Sequence, residues 1–337
     1  MKVRYTTLII FLFLIGIELN AQQFISYTTD CCKLTSNNIT AVVIDSKGGK
    51  WFGTDNGLLH FDGRKWRTFQ SSNKKASIPS NKINDLAIEI SSKFGERIWI
   101  ATDNGATVIG SIFGKLTYAT PFQENNSDLL SNNVKTVYVG NNHALWFGTN
   151  KGLSRFDGSK WLNYIELNDL SKNEVLSIAG SKDGVIYIGT NGGGISRYLD
   201  NNEVDGITSA SIIETEWSGI LSDNIYAIVV NEDSSKWIGT DKGLNLHKSP
   251  ETKEGWYVYS SDEGLVNNHV QAIAKDNTGI VWIGTKEGVS SFDGKESWKS
   301  YTVKDGLSGN DIRDISVDKD GSIWFATDIG ISQYIKK

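Results

Sequence analysis

Cysteine and proline are scarce in this chain, with two cysteines and three prolines in 337 residues. Two cysteines cannot staple a disulfide-rich scaffold. They also fall short of a structural zinc site, because Cys31-Cys32 has no two further ligands at sensible spacing. With 34 glycines and ordinary hydrophobic content, so few prolines exclude a low-complexity tail or linker and leave a chain that folds throughout. Lysine and arginine form no run or stripe, and the formal charge is −5. A phosphate backbone needs a concentrated basic face, so no nucleic acid partner is expected. Gly-Xaa-Ser-Xaa-Gly, a phosphate-binding loop and a zinc-protease helix are all missing. Turns such as Asp318-Lys319-Asp320-Gly321 lack the multi-ligand spacing of a calcium loop. No catalytic residue, metal or cofactor is expected.

The one long apolar run lies at the start. Met1-Lys2-Val3-Arg4 carries positive charge, Leu8 to Ile15 is continuously apolar, and Leu19-Asn20-Ala21 ends on a small residue. A membrane span needs roughly 20 apolar residues, so residues 1–21 read as a secretory signal peptide, with an uncleaved anchor as the alternative. Its removal takes away one net positive charge and leaves −6 on a single domain, 22–337, periplasmic or secreted, with no membrane span. Cys31 and Cys32 then sit near the mature N-terminus. Neighbouring cysteines do not meet ordinary disulfide geometry, so two thiols in a surface loop are expected, with a vicinal disulfide as the alternative.

What is abundant is a repeat. Trp51-Phe52-Gly53-Thr54 returns at Trp99-Ile100-Ala101-Thr102, Trp146-Phe147-Gly148-Thr149, Tyr187-Ile188-Gly189-Thr190, Trp237-Ile238-Gly239-Thr240, Trp282-Ile283-Gly284-Thr285 and Trp324-Phe325-Ala326-Thr327. The seven copies lie 41 to 50 residues apart, and each unit reads as four short strands. An alternating run such as Asn38 to Ile44 comes first, the Trp segment second, Leu58 to Phe61 third, and Trp66 to Phe69 fourth after Asp62-Gly63. A period in the forties with four strands per unit predicts an all-β, seven-bladed β-propeller of four-stranded blades. The last unit stops after its third strand, Gly330 to Tyr334, while Phe24 to Thr28 precedes the first unit and reads as a fourth. The N-terminal strand is therefore expected to close the last blade and hide both open edges. One Trp per blade at one strand position predicts a buried wedge rather than a binding platform. Blades two and four depart most from the pattern, through Tyr118 to Asn126 and through Asn201 to Ser211, and adaptation is expected there.

The loops leading into each first strand share a face with the turns between strands two and three. Two columns on that face vary from blade to blade. One reads Asn38, Lys82, Asn133, Glu174, Asn224, His269, Asp311; the other, two residues on, reads Thr40, Asn84, Lys135, Leu176, Tyr226, Gln271, Arg313. The turns after strand two add Lys242 and Glu287. A ligand site at the mouth of the central pocket is expected from Lys135, Glu174, Tyr226, Lys242, His269, Gln271, Glu287, Asp311 and Arg313. Planar and hydrogen-bonding groups of this kind suit a glycan or peptide, with a protein partner as a further expectation.

The pattern Asp276-Asn277-Thr278-Gly279, Trp282-Ile283-Gly284-Thr285, Gly288-Val289, Phe292-Asp293-Gly294, with leading motifs such as Leu221-Ser222-Asp223-Asn224, resembles the two-component regulator propeller repeat over essentially all of the mature chain. The resemblance implies a bacterial periplasmic sensor module that recognises glycans or their breakdown products. Such modules are followed by a membrane span and a histidine kinase, and this sequence ends after one ring without either. Three functional classes follow: an exported ligand-binding propeller of sensor type; a lyase or hydrolase using the central pocket, as seven-bladed streptogramin lyases do; and a structural interaction platform of the cell envelope. A cluster of His269, Glu287 and Arg313 around one pocket would favour the second, and a filled mouth the third.

Overall fold

The chain is described by a computed structural model over residues 24–72, 78–112, 115–166, 170–199, 211–213, 219–248 and 255–336. The expected signal peptide and most of the expected insertion in blade four, 201–210, lie outside the described residues. Seven four-stranded antiparallel sheets are arranged as blades. Their first strands are Ile39–Ile44, Ile83–Ser91, Val134–Val139, Val175–Gly180, Ile225–Val230, Val270–Lys275 and Ile312–Val317, and each packs against the next around a central channel. The seventh sheet is completed by Phe24–Tyr27, which pairs antiparallel with Gly330–Tyr334. This is the seven-bladed propeller with an N-terminal closing strand that the repeat predicts.

The repeated residues explain why each blade folds alike. In every blade the Thr of the Trp-Xaa-Gly-Thr motif spans the turn after strand two. Thr54 Oγ1 donates to the Gly57 carbonyl at 2.7 Å and accepts the Asn56 N–H at 2.9 Å. Thr285 repeats both bonds with Gly288 and Glu287. Gly57 closes that turn at φ 111°, where an added Cβ would also lie 2.6 Å from the Phe69 carbonyl oxygen. The motif tryptophans are buried, as expected of wedges: Trp146 and Trp324 are at most 1% exposed.

Neighbouring blades are clasped by a second aromatic layer. Phe61 and Trp66 stack at 4.5 Å across the third and fourth strands of blade one and reach Tyr27 and Trp324 of blade seven. Phe292 and Trp298 do the same for Trp237 and Tyr259 of blade five. At the seam the pair is made by both ends of the chain: Phe24 faces Tyr334 at 5.3 Å, in the register in which Trp66 faces Phe61. Tyr334 meets Trp282 at 4.9 Å, and Phe24 meets Tyr301 at 5.4 Å.

One expectation, that of free thiols, needs correction, and one excursion takes part in the packing. The excursion after the third strand of blade two contributes a ring to a blade junction. Phe122 bridges to Ala106 and places its ring 5.9 Å from Trp99 and 5.2 Å from Trp161, filling the blade two to blade three junction. Cys31 and Cys32 are bonded to one another rather than free, within a single helical turn, Thr29–Cys32, that joins the closing strand to blade one. The vicinal disulfide, the alternative named from the sequence, is therefore the one present.

Phe24 is fully buried, so Phe24→Ala removes a large ring from a site with little room to collapse. The expected loss is about 3–5 kcal/mol of unfolding free energy. Urea denaturation followed by tryptophan fluorescence measures it; a loss below about 1 kcal/mol would show that the N-terminal strand does not hold the ring closed.

Candidate functional site

The channel is shaped by one irregularity repeated seven times. In each blade the pairing of strands one and two skips a residue just after the first pair. The skipped residues are Thr40, Asn84, Lys135, Leu176, Tyr226, Gln271 and Arg313, the second variable column of the sequence. A β-bulge leaves its residue out of the ladder and re-aims its side chain. Here all seven line one central cavity of about 240 Å³.

Some of these side chains tie adjacent blades together. Thr40 Oγ1 donates to the Ile83 carbonyl at 2.8 Å and Asn84 Nδ2 to the Val134 carbonyl at 2.7 Å. Gln271 Nε2 donates to the Ile312 carbonyl at 3.1 Å and to Asp311 Oδ1 at 2.5 Å. The others carry charge or rings at the mouth. Lys135 Nζ lies 3.9 Å from Glu174 Oε1, and Arg313 Nε lies 3.4 Å from Asp311 Oδ2, with Arg313 Nη1 also donating to Asn38 Oδ1. Tyr226 and His269 hold their rings 4.6 Å apart. Burial and then the nearby Lys286 charge push the His269 imidazolium pKa down, while burial and then Asp241 and Glu174 push the Tyr226 hydroxyl up.

Of the nine expected site residues, Lys135, Tyr226, Gln271 and Arg313 line the cavity, and Glu174, His269 and Asp311 form its rim in contact with them. Lys242 and Glu287 do not join them. Both sit exposed on turns after strand two, where their backbone N–H groups donate to Thr240 and Thr285. The cluster of His269, Glu287 and Arg313 that would favour a lyase or hydrolase does not line the cavity together, since only Arg313 is on its wall. A turn tip that lies over the same face need not point into its centre.

The cavity also contains two carboxylates that the variable columns miss. Asp85 and Asp314 occupy the position after the bulge, which is Ala41, Thr136, Ser177, Ala227 and Ala272 in the other blades. Asp85 Oδ2 accepts from Thr136 Oγ1 at 2.7 Å and the Val137 N–H at 2.9 Å in blade three. Asp314 Oδ2 accepts the Val42 N–H of blade one at 2.7 Å. Each keeps some solvent contact through the channel, yet the ring surrounds them. Desolvation pushes the Asp85 pKa up to about 6, and the Asp314 pKa up to about 7 with the Asp85 charge adding to it. Two acids in a column of small residues are the signal that a third column would have shown. Among the described residues, no three His, Cys, Asp or Glu side chains converge as metal ligands, and no helix is long and apolar enough to cross a membrane.

Comparison with known proteins agrees with the ring and its repeat. Residues 264–287 and 306–328, which hold the leading loops and first two strands of blades six and seven, match the Two component regulator propeller family. Histidine kinase P4 of Formosa agariphila is 27% identical over 308 residues, taking in 73% of this chain and 22% of the kinase. The chain thus spans about a fifth of that relative's length. The extracellular domain of a putative hybrid two component system from B. thetaiotaomicron superposes with a TM-score of 0.75 at 24% identity, over 93% of this chain and 41% of that domain. A catalytically inactive virginiamycin B lyase from Staphylococcus aureus, solved with quinupristin, superposes at 0.67 with 17% identity, over 92% and 98%. Both structures share the fold.

The buried acids set a pH dependence. A carboxyl whose folded pKa is raised keeps a proton that the unfolded chain gives up, so its contribution to stability falls as pH rises from about 4 to about 7. Asp314→Asn is expected to remove that slope. Its stability relative to the parent should rise by about 1–4 kcal/mol between pH 4 and pH 8 in urea melts. A difference that stays flat with pH would show that Asp314 is ionised throughout.

Proposed function

We propose that this chain, a propeller built from the two component regulator propeller repeat, is an exported ligand-binding module of sensor type whose ligand sits at the mouth of the central channel. The observation that carries this reading is the ring of bulges. The seven residues freed from the ladder are of seven different types in otherwise repeating blades, and they converge on one cavity. A position that only had to hold the ring would repeat as the motif Thr and Trp do.

The chemistry of the mouth favours a ligand with many hydroxyl or amide groups. Tyr226 and His269 offer planar faces, Gln271 and Asn84 offer amides, and Lys135 with Glu174 and Arg313 with Asp311 supply charge of both signs. A glycan or short peptide meets these demands. The likeness to an extracellular sensor domain supports export and the sensor role, as does the apolar leader. The cavity argues against a filled, purely structural mouth.

Thermal melts of the purified protein against oligosaccharides, peptides and divalent ions test this directly. A ligand at 100 times its Kd should add about 2.7 kcal/mol of stability. Tyr226→Ala and Arg313→Ala should abolish the shift. A stabilising ligand that is indifferent to both substitutions would move the site away from the channel, and silence across the panel would favour a protein-interaction role.

A further inference from the structure

The bonded pair Cys31–Cys32 has no part in the ligand site, and its placement is hard to explain as a staple. A bridge between chain neighbours closes no intervening loop, so it removes almost none of the unfolded chain's entropy. Its sulfurs are not shut away either. Cys31 is exposed, and Cys32 is half-buried, resting on the core between blades seven and one beside Tyr27. A disulfide that closes no chain loop and lies on an exposed residue is suited to exchange with thiols.

The pair is also wired to the channel. The helical turn Thr29–Cys32 follows directly on the closing strand, with the Cys31 and Cys32 N–H groups both donating to the Thr28 carbonyl and the Thr28 N–H donating to Cys31 Sγ at 3.3 Å. Asn37 fastens this turn to the loop leading into blade one. Its Oδ1 accepts the Thr29 N–H at 2.7 Å, and its Nδ2 donates to Thr29 Oγ1 at 3.1 Å. The next residue, Asn38, accepts from Arg313 Nη1 at the channel mouth and donates from Nδ2 to Asp55 Oδ2 at 3.0 Å. One short path therefore runs from the disulfide through Thr29, Asn37 and Asn38 to Arg313.

We infer that Cys31–Cys32 is a thiol–disulfide exchange site, addressed by a dithiol reductant, whose reduction loosens the loop that holds Arg313 at the mouth of the channel. The thiolate of the reductant attacks Cys31 Sγ, the exposed sulfur; the bond to Cys32 Sγ breaks, and Cys32 leaves as a thiolate that takes up a proton. The second thiol of the reductant then attacks the mixed disulfide, closes its own disulfide and releases Cys31, so that two electrons pass to the protein. Without the covalent link between the neighbouring side chains, residues 29–33 lose a constraint on their backbone angles. The two bonds from Thr29 to Asn37 lose their fixed partner.

The test uses the full chain and needs no ligand. Millimolar dithiothreitol followed by iodoacetamide should alkylate both cysteines while near-ultraviolet circular dichroism stays native. Amide hydrogen exchange should then rise by about tenfold or more in peptides covering 28–38 and, more weakly, in 308–314. Cys31→Ser with Cys32→Ser should give the loosened pattern with or without reductant. Asn37→Ala should still be reducible but show no further change in 308–314 on reduction. Resistance to dithiothreitol until the protein unfolds, or a response confined to 29–33 in the parent, would overturn the inference.

Discussion

The ring depends on how closely one blade can lie against the next at the third residue of the Trp-Xaa-Gly-Thr motif. Behind Gly53 stands Ile83 of blade two, and an added Cβ would come within 2.7 Å of its side chain. Gly148 meets Val175, Gly239 meets Val270 and Gly284 meets Ile312 in the same way. Blades two and seven carry Ala101 and Ala326 there, so the limit is set by size rather than by backbone freedom. The wedge tryptophans on one side and these tight contacts on the other fix the angle between blades, and seven such angles close the circle. Packing of this density leaves little freedom except where the ladder is broken.

The break is the bulge, and it separates two duties that a regular strand would force onto the same residues. The residue just after the bulge packs towards the neighbouring blade and is held to Ala, Ser or Thr in five of the seven blades. The bulged residue escapes that demand, which is why Leu176, Lys135 and Tyr226 can occupy equivalent places in one ring. Asp85 and Asp314 are the exception, since they stand inside the constrained column. Each is anchored by backbone N–H groups of a neighbouring blade. They join structure and channel chemistry in one side chain.

The fold was legible because it is written seven times, so that the loss of Trp at Tyr187 or of Gly at Ala101 did not hide the period. The closing strand was legible for the same reason, as a fourth strand without its first three. The mouth was read in part. Variation against a repeating background pointed to Lys135, Tyr226, Gln271 and Arg313, but sequence spacing could not say which polar turn residues line the cavity, and Lys242 and Glu287 are not on its wall. Asp85 and Asp314 escaped because they stand one residue past the second variable column, at a position that the other five blades fill with Ala, Ser or Thr. The bond between Cys31 and Cys32 was legible only as the alternative to two free thiols, because adjacency argues against ordinary disulfide geometry.

The seam has a mechanical side. Phe24 begins the closing strand directly opposite Tyr334, so the two strands present their outer ends together on the face away from the channel mouth. The ladder bonds between antiparallel strands run across them, perpendicular to their length. A force that pulls residues before Phe24 away from those after Tyr334 loads these bonds one pair at a time, as a zipper is loaded, rather than all at once in shear. Separation of its two ends thus opens the ring by unzipping rather than by shear, and a tether that grips one end only does not load this ladder.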